Sequence, residues 1–266
     1  MDAQPKRKKR QGHRALLLIF LLILLLTGIF FGYVSVYYPA DETALAALRS
    51  DGAVTVTRTE TGWFFDGPSK TDALIFYPGG KVEETAYAPL LREIAEGQMD
   101  VFLLQVPFRL AVLAPGKAEA VMAAFAYENW YVGGHSLGGA IAADFAAKHG
   151  DGLRGLVLLA AYPTKTLDPS LPVLSLYGSE DGVLNREELE AGTQYLPKDA
   201  VLQVIPGGNH AQFGSYGPQK GDGAALISPA EQWAETAALL EEVFGGYVGL
   251  SMMCDRVRKR RKSLFR

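Results

Sequence analysis

The chain has 266 residues, 48% of them hydrophobic and 21% charged, so it can bury one sizeable core and is too apolar to be disordered. Its formal charge is −3, from 26 Lys and Arg against 29 Asp and Glu, and that balance does not suggest a nucleic-acid partner. Cys254 is the single cysteine, so no intramolecular disulfide can form, and it has no metal-site spacing around it.

The near-neutral total hides an asymmetry, because both ends are basic. Residues 1–14 form a basic leader carrying Lys6, Arg7, Lys8, Lys9, Arg10 and Arg14. The apolar run 15–36 follows, and as a helix it would extend roughly 33 Å, enough for a hydrocarbon core of about 30 Å. It is long for the apolar part of a signal peptide, although a cleaved signal remains the main alternative. No base occurs between the run and Arg49. The positive-inside rule therefore predicts a single-pass anchor with a cytoplasmic N-terminus and everything past residue 40 on the extracytoplasmic side.

Beyond the anchor, short apolar runs alternate with helical patterns, which predicts an α/β domain over 50–245 with about eight strands in a mostly parallel sheet. Strands are expected at 53–57, 63–66, 73–77, 101–105, 130–133, 156–160, 173–177 and 201–205, the first two as an antiparallel hairpin. Helices are expected near 86–96, 116–126, 137–149, 186–195 and 229–244. A long Gly-rich loop follows His210.

The segment Trp130–Gly139 joins a strand, a tight turn and a helix start, and the turn reads Gly-His-Ser-Leu-Gly. In such a nucleophile elbow the central serine is held in a strained conformation, so its neighbours two residues away must lack Cβ atoms. Gly134 and Gly138 meet that demand, which makes Ser136 the candidate nucleophile. A small-residue helix follows, with Lys148 and His149 at its C-terminal end and Gly150 at its stop. A serine hydroxyl needs a base, and the base needs a group to orient it. His13 lies in the leader, His135 inside the elbow and His149 at a helix end, which leaves His210 as the base. Asp181 follows the strand 173–177 and would stand at the C-terminal edge of the sheet, with Glu180 as the alternative acid. The order Ser136, Asp181, His210 is the order this architecture requires. The oxyanion formed by attack on a carbonyl needs N–H donors: one from Leu137, the other from the Pro78-Gly79-Gly80 turn, with Gly80 favoured and Lys81 next.

These residues resemble the α/β-hydrolase superfamily over about 50–245, and within it the compact branch similar to dienelactone hydrolases. The match lies in 73–80, the elbow, 177–182 and 208–210. The resemblance implies an α/β-hydrolase fold, helices on both faces of the sheet, and acyl transfer to water. Two departures limit it: that branch carries a cysteine nucleophile where this chain has Ser136, and Pro78 replaces the histidine that often opens the oxyanion loop. Lids of this superfamily commonly enter between the sixth and seventh strands, yet only 161–172 lie there. The site is therefore expected to be uncapped, with Phe213 and Tyr216 walling one side, and to favour small or extended, exposed esters.

The reading of the sequence is a membrane-anchored serine hydrolase, most simply a carboxylic ester hydrolase acting on a small-molecule acyl substrate, with no metal and no organic cofactor. The competing class is a non-catalytic binding or tethering protein on the same fold. Peptidase, thioesterase and acyltransferase chemistry stay open within the enzyme reading. Residues 246–266 form a basic tail, expected to be solvated, with contact to anionic lipid or cell-wall polymer as the alternative.

Overall fold

The computed structural model describes residues 5–97 and 99–245, so the basic tail lies outside the described residues. Contacts divide the chain after Tyr37. The first unit is one helix, α1 (Pro5–Ser35). Its stretch Ala15–Ser35 has a mean hydropathy of 2.9, with none of the apolar window buried, and is long and apolar enough to cross a membrane. By length and composition it fits an anchor or a signal sequence.

The second unit carries eight strands: β1 (Thr55–Arg58), β2 (Gly62–Asp66), β3 (Asp72–Tyr77), β4 (Asp100–Leu104), β5 (Asn129–His135), β6 (Gly155–Leu159), β7 (Val173–Gly178) and β8 (Val201–Ile205). They form one sheet in the order β1-β2-β4-β3-β5-β6-β7-β8. The β1–β2 pair is antiparallel, as the predicted hairpin requires; the β2–β4 pair is antiparallel too, and all the others are parallel. Central strands such as β4 and β6 are buried at every position, which is why they read as continuous apolar runs rather than alternating ones.

Helices α3 (Ala88–Glu96) and α7 (Pro229–Phe244) share one core with Leu74 and Phe76, on one face of β3. Helices α4 (Lys117–Ala124) and α5 (Leu137–His149) share the other core with Ala73, Ile75 and Tyr77, on the opposite face. The strand period of two thus distributes β3 between both layers. The predicted helix 186–195 divides into α6 (Arg186–Gly192) and a 3-10 turn at Thr193–Tyr195.

One short helix, α2 (Glu42–Ala46), is not foreseen by the sequence pattern. Asp41 caps it by accepting the Ala44 N–H at 2.9 Å. Chain order decides where a site forms: after β3 the chain places β4 on one side, then returns to place β5 on the other. The crevice at such a reversal, outside the C-terminal ends of β3 and β5, is where open α/β sheets bind ligands.

Candidate active site

Strand β5 ends at His135 and α5 begins at Leu137, leaving Ser136 alone at the turn with φ 52° and ψ −123°. An L-residue rarely adopts this conformation, and its cost of about 1–3 kcal/mol persists only where the surroundings enforce it. They do so here. A Cβ on Gly134 would stand 2.5 Å from the Gly138 carbonyl carbon, and one on Gly138 would stand 2.2 Å from the Tyr77 oxygen and 2.4 Å from that of Pro78. The elbow is thus wedged against the end of β3 and the loop after it. Ser136 N–H donates to Leu159 O at 2.9 Å, and Ser136 O accepts the Ala140 N–H at 3.1 Å to start the helix.

Asp181 lies in the turn after β7 and is 6% exposed; His210 lies beyond β8 and is 1% exposed. His210 Nδ1 and Asp181 Oδ2 are 2.9 Å apart. The other carboxylate oxygen, Oδ1, accepts the Val183 and Leu184 N–H groups at 2.9 and 2.8 Å, so the acid is oriented by its own turn. Burial pushes the Asp181 carboxyl up, but the His210 hydrogen bond and charge, with those two N–H groups, outweigh it and hold the carboxyl below its usual range. Glu180, the alternative acid, turns to the Ser179 hydroxyl at 2.8 Å. The structure therefore brings Asp181, not Glu180, to His210.

His210 stands beside the elbow, its ring centroid 4.4 Å from that of His135. Its Nε2 is buried and has no hydrogen-bond partner among the described residues. His135 is itself buried, with Nδ1 2.8 Å from Tyr87 Oη. Tyr87 Oη also accepts the Gly79 N–H at 3.0 Å, so Gly79, Tyr87 and His135 form one buried hydrogen-bonded chain. Burial, and then the neighbouring His210 charge, push the His135 pKa well below the ordinary histidine value. His135 is therefore a neutral packing group, as its place inside the elbow suggested.

The Pro78–Gly80 loop follows β3 and meets the start of α5. A Cβ on Gly80 would lie 2.9 Å from Leu137 Cδ2, so the two predicted oxyanion donors belong to packed neighbours. Neither N–H is engaged by a hydrogen bond among the described residues, whereas Gly79 and Lys81 N–H are committed to Tyr87 Oη and Arg109 O. That difference favours Gly80 over Lys81. The connection 160–172 between β6 and β7 carries no helix or strand. A cleft of about 400 Å³ near the Pro78–Gly80 loop is lined by Glu84, Gln105, Phe108, Arg109 and Lys117 among others, and another of about 260 Å³ lies between α3 and α7. None of the residues lining the second belongs to the turns that carry Ser136, Asp181 or His210.

Phe213 and Tyr216, expected to wall one side of the site, turn inward. Both are buried, Phe213 packing on His135 at 5.5 Å between centroids and Tyr216 on Tyr38 at 5.6 Å. The residue that organises their loop is Asp222, which sequence reasoning missed. Its Oδ1 accepts Gly182 N–H at 3.1 Å and its Oδ2 accepts Ala211 N–H at 2.8 Å, tying the turn that carries Asp181 to the segment that carries His210. The available signal was that Asp222 is the only acid between His210 and Pro229. Gln232 of α7 adds a second brace, accepting Asn209 N–H at 3.0 Å and donating to Asn209 O at 2.9 Å.

Residues 73–234 match the family model described as alpha/beta hydrolase family, and the chain belongs to that family. No curated protein matches it by sequence. Its fold is similar to that of a membrane phospholipase A described as a bacterial virulence factor, with 15% identity, TM-score 0.54, and 87% of this chain and 99% of that one covered. It is similar also to a carboxylesterase, CesB, of Bacillus subtilis, with 11% identity, TM-score 0.53, and 83% and 99% covered. A dienelactone hydrolase of Anabaena variabilis gives 15% identity, TM-score 0.51, and 75% and 99% covered. At these identities the likeness is one of fold.

Proposed function

We propose that the chain is a membrane-anchored serine hydrolase that cleaves carboxylic esters through an acyl-enzyme on Ser136. The observation that carries this reading is the buried Asp181–His210 pair standing beside a strained serine at the C-terminal edge of the sheet. In this reading His210 Nε2 takes the Ser136 proton as the substrate closes the gap between them, then returns it to the departing alcohol. Asp181 holds the imidazole in the Nδ1–H tautomer and stabilises its cation. The N–H groups of Leu137 and Gly80 receive the negative charge that develops on the carbonyl oxygen, each donor supplying about 2.7–4 kcal/mol of transition-state stabilisation. Water then attacks the acyl-enzyme by the same route in reverse.

Small or extended, exposed esters are favoured over long acyl chains that need a deep tunnel, because the connection 160–172 carries no lid helix over the site. The anchor is α1, with the N-terminus on the cytoplasmic side and the hydrolase domain outside, as the charge asymmetry directs. The test is labelling by a fluorophosphonate probe, which reacts with activated serines. Wild type is expected to label, and Ser136→Ala and His210→Ala are expected to lose the label. An unlabelled wild type that is folded would instead indicate a binding protein.

A further inference from the structure

The hydrolase unit is laced to its own first residues at the mouth of the site. Tyr38 N–H donates to Lys81 O at 2.8 Å, and Lys81 N–H donates to Arg109 O at 2.8 Å. Tyr38 O accepts Glu83 N–H at 2.9 Å, Asp41 N–H donates to Ser215 O at 3.0 Å, and Tyr38 Oη accepts Lys220 N–H at 3.2 Å. One backbone thread thus joins the start of the domain, the residue after the oxyanion loop, and the segment after β4. A second joins it to the loop after His210. Every one of these attachments lies at the C-terminal edge of the sheet, where Ser136 stands.

Only Val36 and Tyr37 separate the last residue of α1, Ser35, from Tyr38. Three residue steps reach at most about 11 Å when fully extended. The limit comes from chain length and holds for any orientation of the helix. The end of the helix and Tyr38, which is bound at the catalytic edge, are therefore tied within that length.

That edge carries matching chemistry. In the segment after β4, Phe108, Val112 and Leu113 are 43%, 52% and 48% exposed. Phe108 and Arg109 both hold positive φ, 52° and 60°, so the turn is fixed at a cost in backbone strain. Lys81, Arg109 and Lys117 are half-buried around it, while the nearby Glu84 is buried and accepts from Gln105 at 2.9 Å. Apolar tips with a cationic fringe are the composition of surfaces that enter the headgroup region.

We propose that Phe108, Val112 and Leu113 insert into the surface of the bilayer that α1 spans, which seats the catalytic mouth on the membrane and gives it esters that reside at the lipid interface. This rests on the anchored-hydrolase reading. The partner is the lipid surface itself.

The test uses the full chain with Cys254→Ser and one cysteine introduced at position 112 (V112C), labelled with an environment-sensitive fluorophore and reconstituted into phosphatidylcholine vesicles containing doxyl-labelled lipid. A control label goes on Glu128 (E128C), exposed before β5 at the opposite edge of the sheet. The expected result is a blue-shifted V112C label quenched by at least about half, with the E128C label unquenched. A second label on Leu113 (L113C) is expected to behave as V112C does. If the protein floats with the vesicles while V112C and L113C behave as E128C does, the proposal is overturned and the anchor stands. If the protein does not float with the vesicles, the anchor and the proposal fall together.

Discussion

Asp181 and Glu180 stand one residue apart, and only Asp181 reaches His210, because its turn supplies two N–H donors that fix its carboxylate. The two positions are expected to respond very differently. Asp181→Asn keeps the shape but leaves His210 in the wrong tautomer, and is expected to lower kcat by about 10⁴. Glu180→Gln, which alters only a contact to Ser179, is expected to stay within about 2-fold by the usual behaviour of surface substitutions. Steady-state kinetics on a short-chain ester separates the two, and equal losses would mean the acid is misassigned. His135 offers a pH test. Its pKa is lowered in the folded state, so the unfolded chain binds the extra proton as pH falls below about 6.5, and stability that is full above that value is lost on acidification. Acidification from pH 7.5 to 5.5 is therefore expected to lower the stability of wild type through this group. Urea unfolding of wild type and His135→Asn at both pH values reads the difference. Identical pH dependence would show that His135 is charged in the fold.

At the scale of elements, the site is a meeting of turns, each at the C-terminal end of a strand. The elbow after β5 and the loop after β3 touch through Gly138, which has no room for a methyl group against Tyr77 O. Gly138→Ala must therefore move backbone rather than a side chain. It is expected to destabilise the protein by about 1–3 kcal/mol and, by displacing the oxyanion loop, to slow acylation by about 100-fold. Thermal unfolding and the rate of fluorophosphonate labelling check the two effects, and normal labelling would mean the elbow does not set the loop. This geometry also explains what the sequence could reveal. The last six strands were legible as apolar runs of strand length closed by turn residues, β1 and β2 as two short runs split by the turn 59–62, and the elbow because Gly134, Ser136 and Gly138 are local to one turn. Tyr87 and Asp222 were not legible. Their work is done on partners 8, 48, 40 and 11 residues away, and only the order of strands brings those together. Helix α2 was missed because five residues are too few for a period to show.

At the scale of the molecule, the boundary of the folded unit differs from the onset of its sheet. The apolar pattern starts the domain near residue 50, where the first strand begins, yet the compact unit starts at Tyr38. Residues 38–41 add no strand to the sheet and are too few to show a period, so hydropathy passes over them, although Tyr38 and Ala40 pack on the core. They bind through Lys81, Glu83 and Ser215, and the Ser215 hydroxyl donates to the Asp41 carboxylate at 2.8 Å. Those contacts flank the Pro78–Gly80 loop on one side and the loop beyond His210 on the other. A chain of residues 38–266 should accordingly be water-soluble and label with fluorophosphonate at the wild-type rate. A chain of residues 50–266 loses helix α2 and, among other contacts, the three backbone bonds and the Asp41–Ser215 pair. At about 1 kcal/mol net for each hydrogen bond, those four contacts alone are expected to make it less stable by roughly 3–4 kcal/mol. It should also label more slowly, because both loops lose their brace. Thermal unfolding and labelling rates of the two chains decide the matter. Equal stability would make residues 38–49 a passive linker, and would remove the physical basis for a catalytic mouth held close to the membrane.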